Sequence, residues 1–128
     1  MSSKTLKTVI NDHKYTYTQL SARQSLLLKF ELAGIIGKVA GELATVLGKS
    51  DEEQMASFAN AMTTVFKDNK PEKILTLIET IFVPAFRDGE RVDIDKHYKG
   101  EFGEMYQALF WVLKEEYGSF LGDAQSIL

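Results

Sequence analysis

Apolar residues recur with a helical period along most of this chain, and the longest such run lies between residues 21 and 48. Leu28, Leu32, Ile35, Ile36, Val39, Leu43, Val46 and Leu47 follow the i, i+3/i+4, i+7 spacing of one helix face, with Glu31, Lys38, Glu42 and Thr45 opposite. Ser21 followed by Gln24 is a capping-box pattern, and Gly48 stands where a left-handed C-terminal cap belongs. The run predicts a helix of about 27 residues, roughly 40 Å long. Beside the large apolar stripe lies a small one, Ala33, Gly37, Ala40, Gly41 and Ala44. A glycine costs a helix roughly 1 kcal/mol relative to alanine. The stripe therefore reads as a seam for close approach of another backbone, and as the candidate self-association face.

The flanking segments follow other periods. Residues 5–19 are rich in β-branched and aromatic side chains, Tyr15 and Tyr17 alternate with Thr16 and Thr18, and Asn11-Asp12-His13 is turn chemistry. They predict a β-hairpin leading into the long helix. Ser50-Asp51-Glu52-Glu53 is a second capping box, opening a helix over 51–68 with Met55, Phe58, Ala59, Met62, Val65 and Phe66 on its apolar face. Pro71 suits the first position of a helix over 71–83. Arg91-Val92-Asp93-Ile94-Asp95 alternates polar and apolar, so residues 91–95 are a candidate short third strand beside the hairpin. A last helix is expected over 101–118, burying Phe102, Met105, Tyr106, Leu109, Phe110, Val112, Leu113 and Tyr117, with Gly118 as its cap. The expected fold is α+β and mostly helical: an N-terminal hairpin, a long central helix and three further helices in one domain spanning 1–128.

Composition narrows the class. A hydrophobic content of 45% argues against intrinsic disorder. A net charge of −3 without a basic block removes the footprint of a nucleic-acid binder. With no cysteine there are no disulfides, thiolate metal sites or cysteine nucleophiles. No apolar segment of signal-peptide type follows Met1. Lys29, Glu31, Lys38 and Glu42 interrupt the one segment of membrane-spanning length, each at a cost of a few kcal/mol in mid-bilayer. No membrane association is expected.

Little in the chain suggests chemistry. Asp93, Asp95 and His97 would share a face on an extended strand, but no fourth ligand is evident, and a polar rim or helix-capping role is the simpler expectation. Gly34, Gly37 and Gly41 do not follow a strand and match no phosphate loop. No enzyme, metal or cofactor is therefore expected. The informative residues are apolar ones off the amphipathic pattern. Trp111 lies nearly opposite the face formed by Leu109, Phe110, Val112 and Leu113, which makes the last helix either buried all round or the carrier of an aromatic anchor. Phe82 and Phe86 flank a helix end, and Phe120 and Leu121 lie in an apolar tail. Phe82, Phe86, Phe110, Trp111, Phe120 and Leu121 are the candidate partner-binding residues.

The string Tyr17-Thr18-Gln19-Leu20-Ser21-Ala22-Arg23-Gln24-Ser25-Leu26-Leu27-Leu28, followed by a long Gly/Ala-containing helix, resembles the tail assembly chaperones of long-tailed bacteriophages and prophages. So does the far end: Asp95-Lys96-His97-Tyr98-Lys99-Gly100, then Met105-Tyr106-Gln107-Ala108-Leu109-Phe110-Trp111-Val112-Leu113, then Tyr117-Gly118-Ser119-Phe120-Leu121-Gly122. Glu115-Glu116-Tyr117 departs from the asparagine-phenylalanine expected before the terminal glycine. The resemblance implies a non-enzymatic protein that coats the apolar tape-measure protein, keeps it soluble and helps recruit tail-tube protein. It also implies work in the host cytoplasm as a homo-oligomer, absence from the mature virion and, in many members, a longer frameshifted form. The alternative is a small homo-oligomeric structural or regulatory module whose Gly/Ala stripe is the dimer seam.

Overall fold

The computed structural model describes residues 5–31, 34 and 49–127, with residues 51 and 116–127 given by their backbone alone. Strands β1 (Thr5–Ile10) and β2 (His13–Thr18) pair antiparallel from Thr5↔Thr18 to Ile10↔His13. Only two residues, Asn11 and Asp12, separate them, with φ of 50° and 66°. Positive φ at both positions is the type I′ turn, whose twist matches that of the strands. Asn and Asp adopt this left-handed conformation at lower cost than other side-chain-bearing residues. The alternation in β2 then puts Tyr15 and Tyr17 on one face, each 1% exposed.

Helix α1 covers residues 22–31 and residue 34 in the described part of the expected long helix. Ser21 caps it, its Oγ accepting the Gln24 N–H at 3.2 Å while its hydroxyl donates to Gln24 Oε1. Most of the 21–48 run, including Ala33, Gly37, Ala40, Gly41 and Ala44, lies outside the described residues. Helix α2 (Asp51–Asp68) opens with the same device at Ser50 and Glu53. Helix α3 (Pro71–Phe82) has Pro71 in its first turn, where a missing N–H costs nothing.

The chain then departs from expectation. The strand that joins the hairpin is β3 (Ala85–Arg87), pairing with β2 at Tyr15↔Arg87 and Tyr17↔Ala85. A second two-residue turn, Asp88-Gly89 with φ of 52° and 82°, leads into β4 (Glu90–Arg91). The sheet order is β1-β2-β3-β4. The candidate strand over 91–95 is corrected accordingly: it ends at Arg91, and Asp93 is the N-cap of a short helix, α4 (Ile94–His97). Asp93 Oδ1 accepts the Lys96 N–H at 3.0 Å, and a five-residue alternation is too short to resist that competition for the backbone. Helix α5 (Phe102–Ile127) likewise runs past the expected end at 118, continuing through Gly118 and Gly122. A glycine inside a helical pattern weakens a helix without ending it.

Helices α2, α3 and α5 pack with the inner face of the sheet in one core, which includes Tyr15, Tyr17, Phe58, Ile74, Ile78, Ile81, Phe82, Tyr98, Leu109 and Val112. Phe102, expected inside, is exposed, and Glu104 takes a buried place in the first turn of α5. Its carboxylate is tied directly to β2 and β3 and, through Tyr15, to the residue that follows α4. Arg87 Nε donates to Glu104 Oε2 at 2.8 Å, the Tyr15 hydroxyl donates to the same oxygen, and the Tyr98 hydroxyl completes the chain to Tyr15 at 3.0 Å. Burial alone would push the Glu104 carboxyl up, but these donors outweigh it and hold the group below the usual carboxylate range. Burial, then the bonds to Glu104 and Tyr98, push the Tyr15 phenol far above its ordinary value, so it remains a donor.

Two predictions follow from these contacts. A group with a depressed folded pKa stabilises the fold above its unfolded value, near pH 4.3, and loses that contribution as pH falls through the folded value. Glu104→Gln should therefore lower the unfolding free energy at pH 7 by about 2–4 kcal/mol and flatten the acid limb of stability between about pH 5 and 3. Urea melts of both proteins across that range measure the difference, which isolates Glu104 from the exposed Asp88 and Glu90, themselves held below the usual range. At the second turn, Gly89→Val places a β-branched side chain at φ 82° and should cost about 1–2 kcal/mol in the same assay. An unchanged midpoint would contradict the turn geometry.

Candidate functional site

The position of Trp111 is resolved by its neighbours. It projects from α5 at the edge of the core, half-buried, with its ring edge-on to Tyr17 at a centroid distance of 6.4 Å and an interplanar angle of 75°. Tyr17 supports the indole from the sheet side, and the rest of the ring borders a groove of about 520 Å³. Ile10, Met55, Phe110 and Trp111 provide the apolar lining, while Thr8, Glu52, Gln54, Gln107 and Lys114 supply polar groups. Elements β1, α2 and α5 thus contribute to a single concavity. Phe110 is anchored below it by Phe58, 5.1 Å away between ring centroids. Gln54, itself buried, donates Nε2–H to Lys49 O at 3.3 Å and holds the chain entering α2. An aromatic platform beside a pliable thioether suits apolar side chains of varied shape. Charges of both signs, Glu52 and Lys114, stand at the rim.

A second cleft of about 410 Å³ lies between α3 and the β4–α4 connection, lined among others by Leu75, Glu79, Val83, Arg91, Val92 and Ile94. It clarifies the Phe82/Phe86 pair. Phe82 is 2% exposed and packs on Tyr98 at 6.1 Å, while Phe86 is half-buried with the Arg91 guanidinium 5.9 Å from its ring centroid. The apolar residues presented here are Leu75 and Val83, both exposed. Of the six candidate partner-binding residues, Phe82 and Phe110 are therefore core side chains, Trp111 stands at the edge of the core, and Phe86 lies with Thr16 and Arg91 on the other face of the sheet. Phe120 and Leu121 lie on the last turns of α5, where only the backbone is described.

A third surface was not anticipated. Leu26, Leu27 and Phe30 on α1 are 51%, 62% and 69% exposed, whereas Leu28 is 5% exposed and joins the core. The signal was present, since these three residues fall off the stripe that begins at Leu28. An apolar residue on the wrong side of a helix is easily absorbed into a broad apolar face.

The polar cluster at 88–97 is structural. His97 Nδ1 accepts the Asp93 N–H at 3.0 Å, leaving Nε2–H to donate to Glu90 Oε1 at 2.8 Å. Lys96 donates to the other Glu90 oxygen at 2.5 Å. That bond, then the one from His97, draws the Glu90 carboxyl below its usual range. His13 meets Asp88 at 2.6 Å, and Asp88 also accepts the Lys14 N–H at 2.8 Å. Asp93 is a helix cap and His97 a clamp between β4 and α4, so this segment is held by mutual hydrogen bonds. Among the described residues, no group of three His, Cys, Asp or Glu side chains is arranged to hold a metal ion, and no helix is long and apolar enough to cross a membrane.

Among the described residues, the features that stand out are these apolar surfaces. No curated protein and no solved structure matches the chain. A family model described as "Phage tail assembly chaperone protein, TAC" matches residues 11–127, from the first turn through to the end of α5. On that match, over nearly its whole length, the chain belongs to the phage tail assembly chaperone family.

Proposed function

We propose that this protein binds and keeps soluble the tape-measure protein during tail assembly, and that it helps recruit tail-tube protein to that complex. The family supplies the chaperone role. The observation that carries the finer reading is the Trp111 groove, a concave apolar site of about 520 Å³ with a mixed-charge rim. A client helix with apolar anchors at i, i+3/i+4 and i+7 would lay those anchors into such a groove. One groove of this size holds a short stretch, so affinity for a long client comes from many copies bound along it, each site remaining weak. Weak individual sites also allow release when the tail tube polymerises, as expected of a cytoplasmic factor that leaves the finished particle. The role is non-enzymatic.

Co-expression with the tape-measure protein of the same genome tests this reading, scored by soluble client and by co-purification. Wild-type chain should render the client soluble and travel with it. Trp111→Ala should lower client affinity about thirty-fold or more, as a hot-spot truncation does. Because Trp111 also packs on Tyr17, Gln107→Trp provides a second variant that fills the groove and spares that contact. It should weaken capture while leaving the melting temperature near wild type. A client that stays insoluble beside well-folded wild-type chain would overturn the proposal.

A further inference from the structure

Helix α1 turns an apolar stripe toward solvent. At 100° per residue Arg23, Leu26, Leu27, Phe30, Glu31 and Gly34 share one face, and all six are exposed. Ser25, Leu28 and Lys29 occupy the opposite face, where Leu28 enters the core. Phe30 at 69% exposure and Leu27 at 62% form a continuous apolar patch with Leu26. Contiguous exposure of this kind on a helix marks a protein interface. A Cβ built on Gly34 meets nothing within 4 Å, so this end of the stripe is open as well.

The charges that bracket the patch select its occupant. Arg23 lies at the N-terminal end and Glu31 eight residues on, roughly 12 Å along the axis. This order is complementary to itself when reversed. Two α1 helices laid antiparallel across a two-fold axis near Leu27 bring Leu26, Leu27 and Phe30 of each copy against those of the other. The same operation puts Arg23 of each copy beside Glu31 of the second. Parallel pairing would oppose arginine to arginine and glutamate to glutamate. The geometry points to a two-fold interface between two copies of this chain, formed by the antiparallel α1 faces. It is isologous, as a C2 contact requires. In sequence the small residues Ala33, Gly37, Ala40, Gly41 and Ala44 continue at compatible spacing, but the inference stands on the described patch and its flanking charges. It involves a different element from the Trp111 groove and does not depend on the client reading.

The experiment uses the purified full chain without client. Sedimentation equilibrium should show a concentration-dependent dimer or a higher oligomer built from dimers. Leu27→Glu should abolish the α1 contact, leaving the far-ultraviolet circular dichroism unchanged because Leu27 is exposed. Arg23→Glu should weaken association about two- to five-fold, and the double change Arg23→Glu/Glu31→Arg should restore it. The cysteine-free sequence allows a second readout. Leu27→Cys, the only thiol in its chain, should cross-link to its own copy under mild oxidation, whereas Glu72→Cys on α3 should not. A chain monomeric at every concentration overturns the proposal and leaves the face to a client. Association that survives Leu27→Glu overturns it too, as does homotypic cross-linking of Arg23→Cys as efficient as that of Leu27→Cys, which signifies parallel pairing.

Discussion

The carboxylate of Glu104 is the constraint on which the arrangement of this protein depends. A charge that is 3% exposed is tolerable only if donors replace its water, and each donor here comes from a different part of the chain. Tyr15 belongs to the first hairpin and Arg87 to the second, and Tyr98, between α4 and α5, holds Tyr15 through its own hydroxyl. Satisfying one carboxylate thus fixes the start of α5 against both hairpins. Burial, then its bond to the same carboxylate, keeps Tyr15 protonated, and Tyr15↔Arg87 is also a register pair of β2 and β3. A slip of one residue would turn Tyr15 away from the core and leave Glu104 without that donor.

Two tight turns make that register available. Asn11-Asp12 and Asp88-Gly89 each place two consecutive residues at positive φ, and each ends a two-residue hairpin. The second is also fastened to the first hairpin, because Asp88 takes hydrogen bonds from Lys14 and His13. These short connections set the pairing within each hairpin, and the β2–β3 pairing joins them into a four-stranded sheet with Tyr15 and Tyr17 facing one way. The helices then cover that face.

With Glu104 satisfied internally, two apolar features stand out on the described surface. The Trp111 groove uses residues the core has half claimed, and its shape is preorganised by Tyr17 and Phe110. The α1 face is different, a run of large apolar side chains directed outward from a helix whose other side anchors it through Leu28. The proposed client binding draws on the first surface and the proposed two-fold contact on the second.

How far the sequence by itself reached follows from which signals are local. Capping and periodicity act over one or two turns, so the α2 and α3 starts at Ser50 and Pro71, the hairpin at Asn11-Asp12 and the mostly helical α+β class were legible. The packing motifs at both ends also disclosed the family. Tertiary structure decided the rest. Ala85-Phe86-Arg87 became a strand because β2 offered an edge, although in sequence Phe86 is simply an aromatic flanking a helix end. Asp93 became a cap because its side chain found the Lys96 amide. Helix α5 ran through Gly118, since a glycine permits termination without requiring it. Phe82 and Phe110 went inside and Leu26, Leu27 and Phe30 outside. Hydrophobicity states that a side chain prefers to leave water, but only the placement of neighbouring elements determines which ones are covered.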